Sequence, residues 1–398
     1  MRRLTCLLAV AVAILGGAAP AQAFDRAALG AALSRAIRPA APFSGAYVRD
    51  LDTGATLFAR GENIARPPAS VEKLYTSATA LLRLGAATTL ATKISGDGAM
   101  DTLGVWRGNL YLHGGGDPSL SDDGIGRLAD LIAQDAIRRV AGSVVGDESF
   151  LDSLRGSYDT RFAYDPEIGG VLSGLTVGRG FSKDGSPPKE AARRLAKALR
   201  RRGIKVDGRS IAGPTPPGTQ ELAVLESAPV GDLIRAMNVP SDNFYAETLI
   251  KDLGADLGGA GTTAAGAAVI RAQMAAFGIH PRIVDGSGLS RVDRTTPRQV
   301  VRLLERMHSQ AVAGAFQGSL PVAGRTGTIS TRMRGSVAQD RCEAKTGTLI
   351  AVSALAGYCE ATGGHTIAFA FLMSGASVGR ARRVQDHMAE AIARYDGP

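Results

Sequence analysis

The chain has 398 residues and a formal net charge of +9, from 46 lysines and arginines against 37 aspartates and glutamates. That length accommodates two or three domains and a substantial core. Beyond residue 23 no apolar run is long enough to span a bilayer, and no basic motif is interleaved with aromatics, so a helical membrane protein and a nucleic-acid binder are both set aside. A basic chain of this kind suits peripheral association with an anionic envelope surface.

Arg2, Arg3, the apolar run Leu7 to Ala19 and the small-x-small site Ala21-Gln22-Ala23 read as a secretory signal peptide over residues 1–23. Cys6 precedes the apolar run, so no lipoprotein anchor is expected. The mature chain would be soluble, exported and periplasmic, beginning near Phe24 with two cysteines. From Phe43 to Arg60 the sequence alternates on either side of Asp52-Thr53-Gly54, which predicts a hairpin. Between Arg66 and Gly85 apolar residues recur at three- and four-residue steps after Pro67-Pro68, predicting one amphipathic helix. Ser70 and Lys73 share a face of its first turn, within reach of each other.

From Leu90 to Ala223 strand-like runs such as Gly108 to His113 and Arg139 to Val145 alternate with glycine- and aspartate-rich turns. One helix, Lys189 to Arg202, interrupts them, and its basic residues read as a solvated face. Ser186-Pro187-Pro188-Lys189 repeats the serine-lysine spacing, but its two prolines are expected to prevent the turn. Helices return from Ser227, with a break at Pro240, and continue through Ala264 to Phe277 and Pro297 to His308. Three strands follow, Cys342 to Leu349, Ala351 to Cys359 and Thr366 to Leu372, then a closing helix from Val378 to Tyr395. The turn near Ile350 puts Cys342 opposite Cys359, as a disulfide or as two free buried thiols.

Two further motifs give Ser70 its meaning. Ser241-Asp242-Asn243 follows the helix break, and Lys345-Thr346-Gly347 lies on the first closing strand. Serine-lysine, Ser-Asp-Asn and Lys-Thr-Gly in this order are the serine acyl-transferase signature of penicillin-binding proteins and class A β-lactamases. Ser70 is the candidate nucleophile and Lys73 the base. Ser241 would relay the proton, and Asn243 would hold Lys73 and a substrate amide. Lys345 would help depress the Lys73 pKa and attract a substrate carboxylate, with a hydrogen bond added by Thr346. Gly347 would let the strand approach the ligand. The N–H groups of Ser70 and Thr348 would form the oxyanion hole, so Thr346, Gly347 and Thr348 line the substrate site.

Over nearly the whole mature chain the sequence resembles the penicillin-binding-protein-4 type of D-alanyl-D-alanine carboxypeptidase/endopeptidase. The match runs through Pro68 to Leu74, His113 to Leu120, Val239 to Tyr245, Asp285 to Arg291 and Glu343 to Leu349. The resemblance implies a fold that is α/β in the α+β sense. A transpeptidase-like domain, an antiparallel sheet flanked by helices with a helical subdomain, would comprise residues 24–92 and 226–398. One smaller mixed domain, 93–225, would be inserted, too short for the two insertions of larger members. It implies peptidoglycan stem peptides as substrate, β-lactam antibiotics as covalent inhibitors, and neither metal nor cofactor.

Asp285 to Ser290 supports the resemblance without a catalytic step of its own, and Arg325-Thr326-Gly327-Thr328 reads as a loop that imitates the third motif. Gly375 to Gly379 fits a nucleophile elbow and His113 to Gly116 a lipase-like loop. Only 21 residues follow Ser377, which leaves no room for the acid and histidine of an α/β-hydrolase. The remaining alternatives are a β-lactamase-like hydrolase and a non-catalytic wall-binding or penicillin-sensing domain.

Overall fold

The computed structural model describes residues 24–40, 42–375 and 377–397. The expected signal peptide, with Cys6, lies outside them. Among the described residues no helix is long and apolar enough to cross a membrane.

The main sheet is antiparallel and joins both ends of the chain, in the order Cys342–Leu349, Val352–Glu360, Thr366–Ser374, Gly45–Asp50, Thr56–Arg60. Val352–Cys359 and Ile367–Met373 are buried throughout because both faces are covered. Side chains alternate between the faces along each strand. Ala354, Ala356, Tyr358, Ala368 and Ala370 pack with Val71, Leu74 and helices Val230–Asn238, Asn243–Leu257, Thr263–Ala276 and Pro297–His308. Leu355, Phe369, Phe371 and Met373 face an N-terminal helix, Arg26–Ala36, and the closing helix, Val378–Ala393. The sequence reading left Arg26–Ala36 unassigned; Asp25 starts it by accepting the Ala28 N–H. Phe24 is tied to the residues after the closing helix, its nitrogen lying 2.8 Å from Asp396 Oδ2.

Two small sheets lie in the middle of the chain. One runs Gln220–Glu226, Ala91–Gly96, Leu110–Gly114, Val144–Asp147, Ser210–Ala212, and the other, all parallel, joins Val105–Trp106, Arg139–Val140 and Lys205–Val206. The expected strand from Arg139 to Val145 is thus two short strands in different sheets. Their core takes Ile94, Leu112, Leu128, Ile132, Leu195 and Leu199 from strands and two helices. The sequence reading found one of these helices and missed Asp122–Gln134, which Ser121 caps through the Gly124 N–H.

The other helix corrects the argument about Ser186. It begins at Pro187, so the two prolines open the helix rather than prevent it. Proline suits the first helical positions, where no N–H is needed. The Lys189 amine pairs at the surface with Asp184, at 2.8 Å. The basic face is solvent-facing as read, with Arg193, Lys197, Arg200 and Arg201 exposed, and it carries ion pairs from Arg193 and Arg194 to Glu190 and from Arg202 to Asp130.

Candidate active site

Ser70 does not sit in the first turn of an α-helix. Ala69–Glu72 is a 3₁₀ turn, and the α-helix starts at Lys73 and runs to Arg83. Ala69 enters this turn with φ of 49°, a strained conformation for a residue with a side chain. Two glycines make that entry possible. A Cβ on Gly347 would stand 2.5 Å from the Pro68 carbonyl oxygen and 3.1 Å from the Ser70 nitrogen, and one on Gly288 would stand 2.0 Å from the Ala69 oxygen. Gly347 therefore serves the fit of strand against turn, not only the approach of a ligand. The helix itself is buried from Lys73 to Leu81 on every side, so it is a core helix rather than an amphipathic one.

Lys73 Nζ lies 3.1 Å from Ser70 Oγ, 2.6 Å from Asn243 Oδ1 and 2.8 Å from the Ser287 carbonyl oxygen. Burial pushes its pKa down from 10.5 to about 8, against the opposing pull of Asp285, Glu247, Asp242 and Glu72. Burial, rather than the charge of Lys345, is thus what makes a free amine accessible near neutrality. Lys345, fully buried as well, is pushed well below its ordinary range by burial first and by Lys73 second. Its amine donates to Ser241 Oγ at 2.7 Å and to the Thr346 carbonyl at 3.0 Å. Ser241 carries a φ of 67°, so the second motif, like the first, is presented by a strained residue.

The Lys345 strand lies at the edge of the sheet, with Val352–Glu360 as its strand neighbour and an isolated bridge from Glu343 to Val322 on the other side. Cys342 and Cys359 are directly opposite, with Cα atoms 4.0 Å apart, and are joined as a disulfide. Alternation along an antiparallel pair then turns the N–H and C=O groups of residues 344, 346 and 348 outward. Ala344 spends its N–H on Pro321. Beyond it, among the described residues, no neighbouring strand covers the edge, so the Thr348 N–H is turned to the unpaired side of the strand. Arg325 to Thr328, read as a mimic of the third motif, is a cleft wall: Thr328 Oγ1 lies 2.7 Å from Thr346 Oγ1, and its N–H donates to the Val239 carbonyl.

Several functional neighbours had no sequence signal. Asn243 Nδ2 donates to the Glu167 carbonyl at 2.8 Å, Asp242 forms an ion pair with Arg179, and Ser290 Oγ donates to Asp159 at 2.6 Å. Ile168 and Leu172 pack on Phe244. Residues 152–181, inside the expected insertion, therefore brace the second motif directly. Glu247 did carry a signal, since it lies four residues after Asn243 on one helix and shares its face.

The family described as D-Ala-D-Ala carboxypeptidase 3 (S13) matches this chain over residues 29–169 and 179–395. A D-alanyl-D-alanine carboxypeptidase of Actinomadura sp. is 30% identical, covering 89% of this chain and 82% of that protein. Carboxypeptidase DacB of Mycolicibacterium smegmatis is 29% identical, covering 83% and 76%. The crystal structure of penicillin binding protein 4 from Haemophilus influenzae has the same fold, with a TM-score of 0.78 at 20% identity over 89% of this chain and 97% of that one. With sequence and fold in agreement, the chain belongs to the D-Ala-D-Ala carboxypeptidase 3 (S13) family of serine peptidases.

Proposed function

We propose that the protein is a serine DD-peptidase that hydrolyses the D-Ala-D-Ala end, or the D-alanyl-diaminopimelyl cross-link, of peptidoglycan stem peptides through an acyl-enzyme on Ser70. The observation that carries this reading is the 3.1 Å contact between Ser70 Oγ and a buried Lys73 amine whose pKa is near 8. Ser70 Oγ attacks the D-alanyl carbonyl and its proton passes to Lys73 Nζ. The N–H groups of Ser70 and Thr348 receive the oxyanion. Ser241, held by Lys345, gives its proton to the leaving amine and takes in its place the proton that Lys73 received, so that Ser241 is a hydroxyl and Lys73 a free amine again. A substrate carboxylate draws a proton onto Lys345 and pairs with it, and Thr346 adds a hydrogen bond. Water then cleaves the ester, with Lys73 again as base.

Carboxypeptidase and endopeptidase action share this acyl donor and differ only in the leaving amine. The catalytic part is taken as residues 24–92 and 226–398, with 93–225 inserted. The working location is the cell envelope, reached by export to the periplasm. β-Lactams would acylate Ser70 as substrate mimics. Intact mass after incubation with benzylpenicillin tests the reading: a single penicilloyl adduct on the wild type, absent in Ser70→Ala, is expected. Rapid loss of the drug without an adduct would mean a β-lactamase, and neither adduct nor turnover would mean a binding domain.

A further inference from the structure

The third contact of Lys73 belongs to none of the three motifs. A neutral amine has two N–H donors and one lone pair. In the neutral amine, Asn243 Oδ1 at 2.6 Å and the Ser287 carbonyl at 2.8 Å can take both donors, which leaves the lone pair for Ser70 Oγ, the remaining neighbour at 3.1 Å. If the Ser287 carbonyl turned away, one amine hydrogen would lose its acceptor and Ser70 Oγ would be the one in reach. The amine would then donate to the hydroxyl it has to deprotonate.

The direction of that carbonyl is set by the two peptide planes flanking Ser287, and each plane is held by a buried acid. Before Ser287, the N–H groups of Gly286 and Ser287 both donate to Glu247 Oε1, at 3.1 and 2.9 Å. After it, the Gly288 N–H donates to Asp285 Oδ1 at 2.7 Å, and the other Asp285 oxygen takes the Ser290 N–H at 2.7 Å. In a trans peptide the C=O points opposite to the N–H. Drawing the Gly288 N–H inward to Asp285 therefore turns the Ser287 carbonyl outward to Lys73. Glu247 is 1% exposed and Asp285 0%, so in the folded chain these N–H groups are held by the two carboxyls and not by bulk water.

We propose that Glu247 and Asp285 are positioning residues for the acylation step, acting through the Ser287 carbonyl to keep the Lys73 lone pair on Ser70. The inference rests on the serine-peptidase reading above. Glu72 and Asp293 complete the buried set, and Thr76 Oγ1 steadies the loop through the Gly286 carbonyl at 2.9 Å. Burial, with Asp285 beside it, pushes Glu247 up to about 8. Glutamine is therefore a close copy of its protonated form and keeps the oxygen that both N–H groups need.

The test is acylation by benzylpenicillin, resolved into the binding constant and the rate constant at saturation. Glu247→Ala is expected to lower the saturating rate constant by about tenfold or more, with the binding constant within about threefold, and Glu247→Gln to restore the rate to within about threefold. A wild-type rate in Glu247→Ala, or a Glu247→Gln as slow as Glu247→Ala, overturns the inference. Should Glu247→Ala not fold, Glu247→Asp replaces it. Its carboxyl is one methylene short of the N–H pair, so the same slow rate is expected and a wild-type rate refutes. Wild type and Ser70→Ala run alongside. If they fail to differ, the serine-peptidase reading is wrong; if they differ and Glu247→Ala matches wild type, only the positioning role is.

Discussion

Replacing Lys73 by methionine removes the amine and keeps the volume, and the structure says how large the consequences are. At pH 7 a lysine of pKa about 8 is free amine about a tenth of the time, whereas one at 10.5 would be so about three times in ten thousand. The folded state disfavours the ammonium, so the stability cost is fully present below about pH 8 and is relieved as pH rises toward 10.5. The gap corresponds to about 3 kcal/mol. Lys73→Met removes that cost, but it leaves Asn243 Oδ1 and the Ser287 carbonyl without a donor, at about 1–3 kcal/mol each. The two effects largely offset, so the variant should stay folded, with stability within about 3 kcal/mol of wild type. Its acylation by benzylpenicillin, followed by intact mass against time, should be slower by about a hundredfold or more, the usual contribution of a general base. Wild-type acylation should rise about tenfold per pH unit and level off near pH 8. A Lys73→Met rate within about tenfold of wild type, or a wild-type profile flat from about pH 6 to about pH 9, would refute the assignment of Lys73 as base.

Gly347→Ala places a methyl 2.5 Å from the Pro68 oxygen, so strand and turn must separate. Acylation should fall by about a hundredfold or more, at a stability loss of about 1–3 kcal/mol in chemical denaturation. An unchanged rate would show that the turn tolerates displacement. Cys342→Ser with Cys359→Ser opens a cross-link of sequence separation 17. Stability should drop by about 2–4 kcal/mol, read as a lower Tm. The acylation rate should stay within about threefold, because Thr348 lies at the other end of the strand.

Legibility in the sequence followed the range of the interaction. The Cys342 strand was readable to the residue because a tight hairpin makes register a matter of counting, and Cys342 does face Cys359. The trio of motifs was readable because its chemistry demands particular side chains. Ser70 itself was misplaced by one kind of turn, since an alanine at φ 49° carries no mark of the strain it bears. Its cause, the carbonyl-to-glycine fit with residues 288 and 347, is long-range. The contacts of Asn243 with the Glu167 carbonyl and of Lys73 with the Ser287 carbonyl were beyond reach for another reason: every residue has a carbonyl, so composition cannot say which one is used. Arg179 and Asp242 pair only because the fold returns residues 165–181 to the second motif.

The order of the main sheet also governs when the site can exist. Gly45 pairs with Leu372, and the Lys345 strand reaches Gly45–Asp50 only through two strands from the far end of the sequence. Until those last strands are made, the first hairpin has no inner neighbour and Ser70 has no Lys345 strand beside it. Contacts this distant in sequence form late and slowly. A growing or interrupted chain is therefore expected to be inert as an acylating species, with activity switching on only once the C-terminal strands are in place.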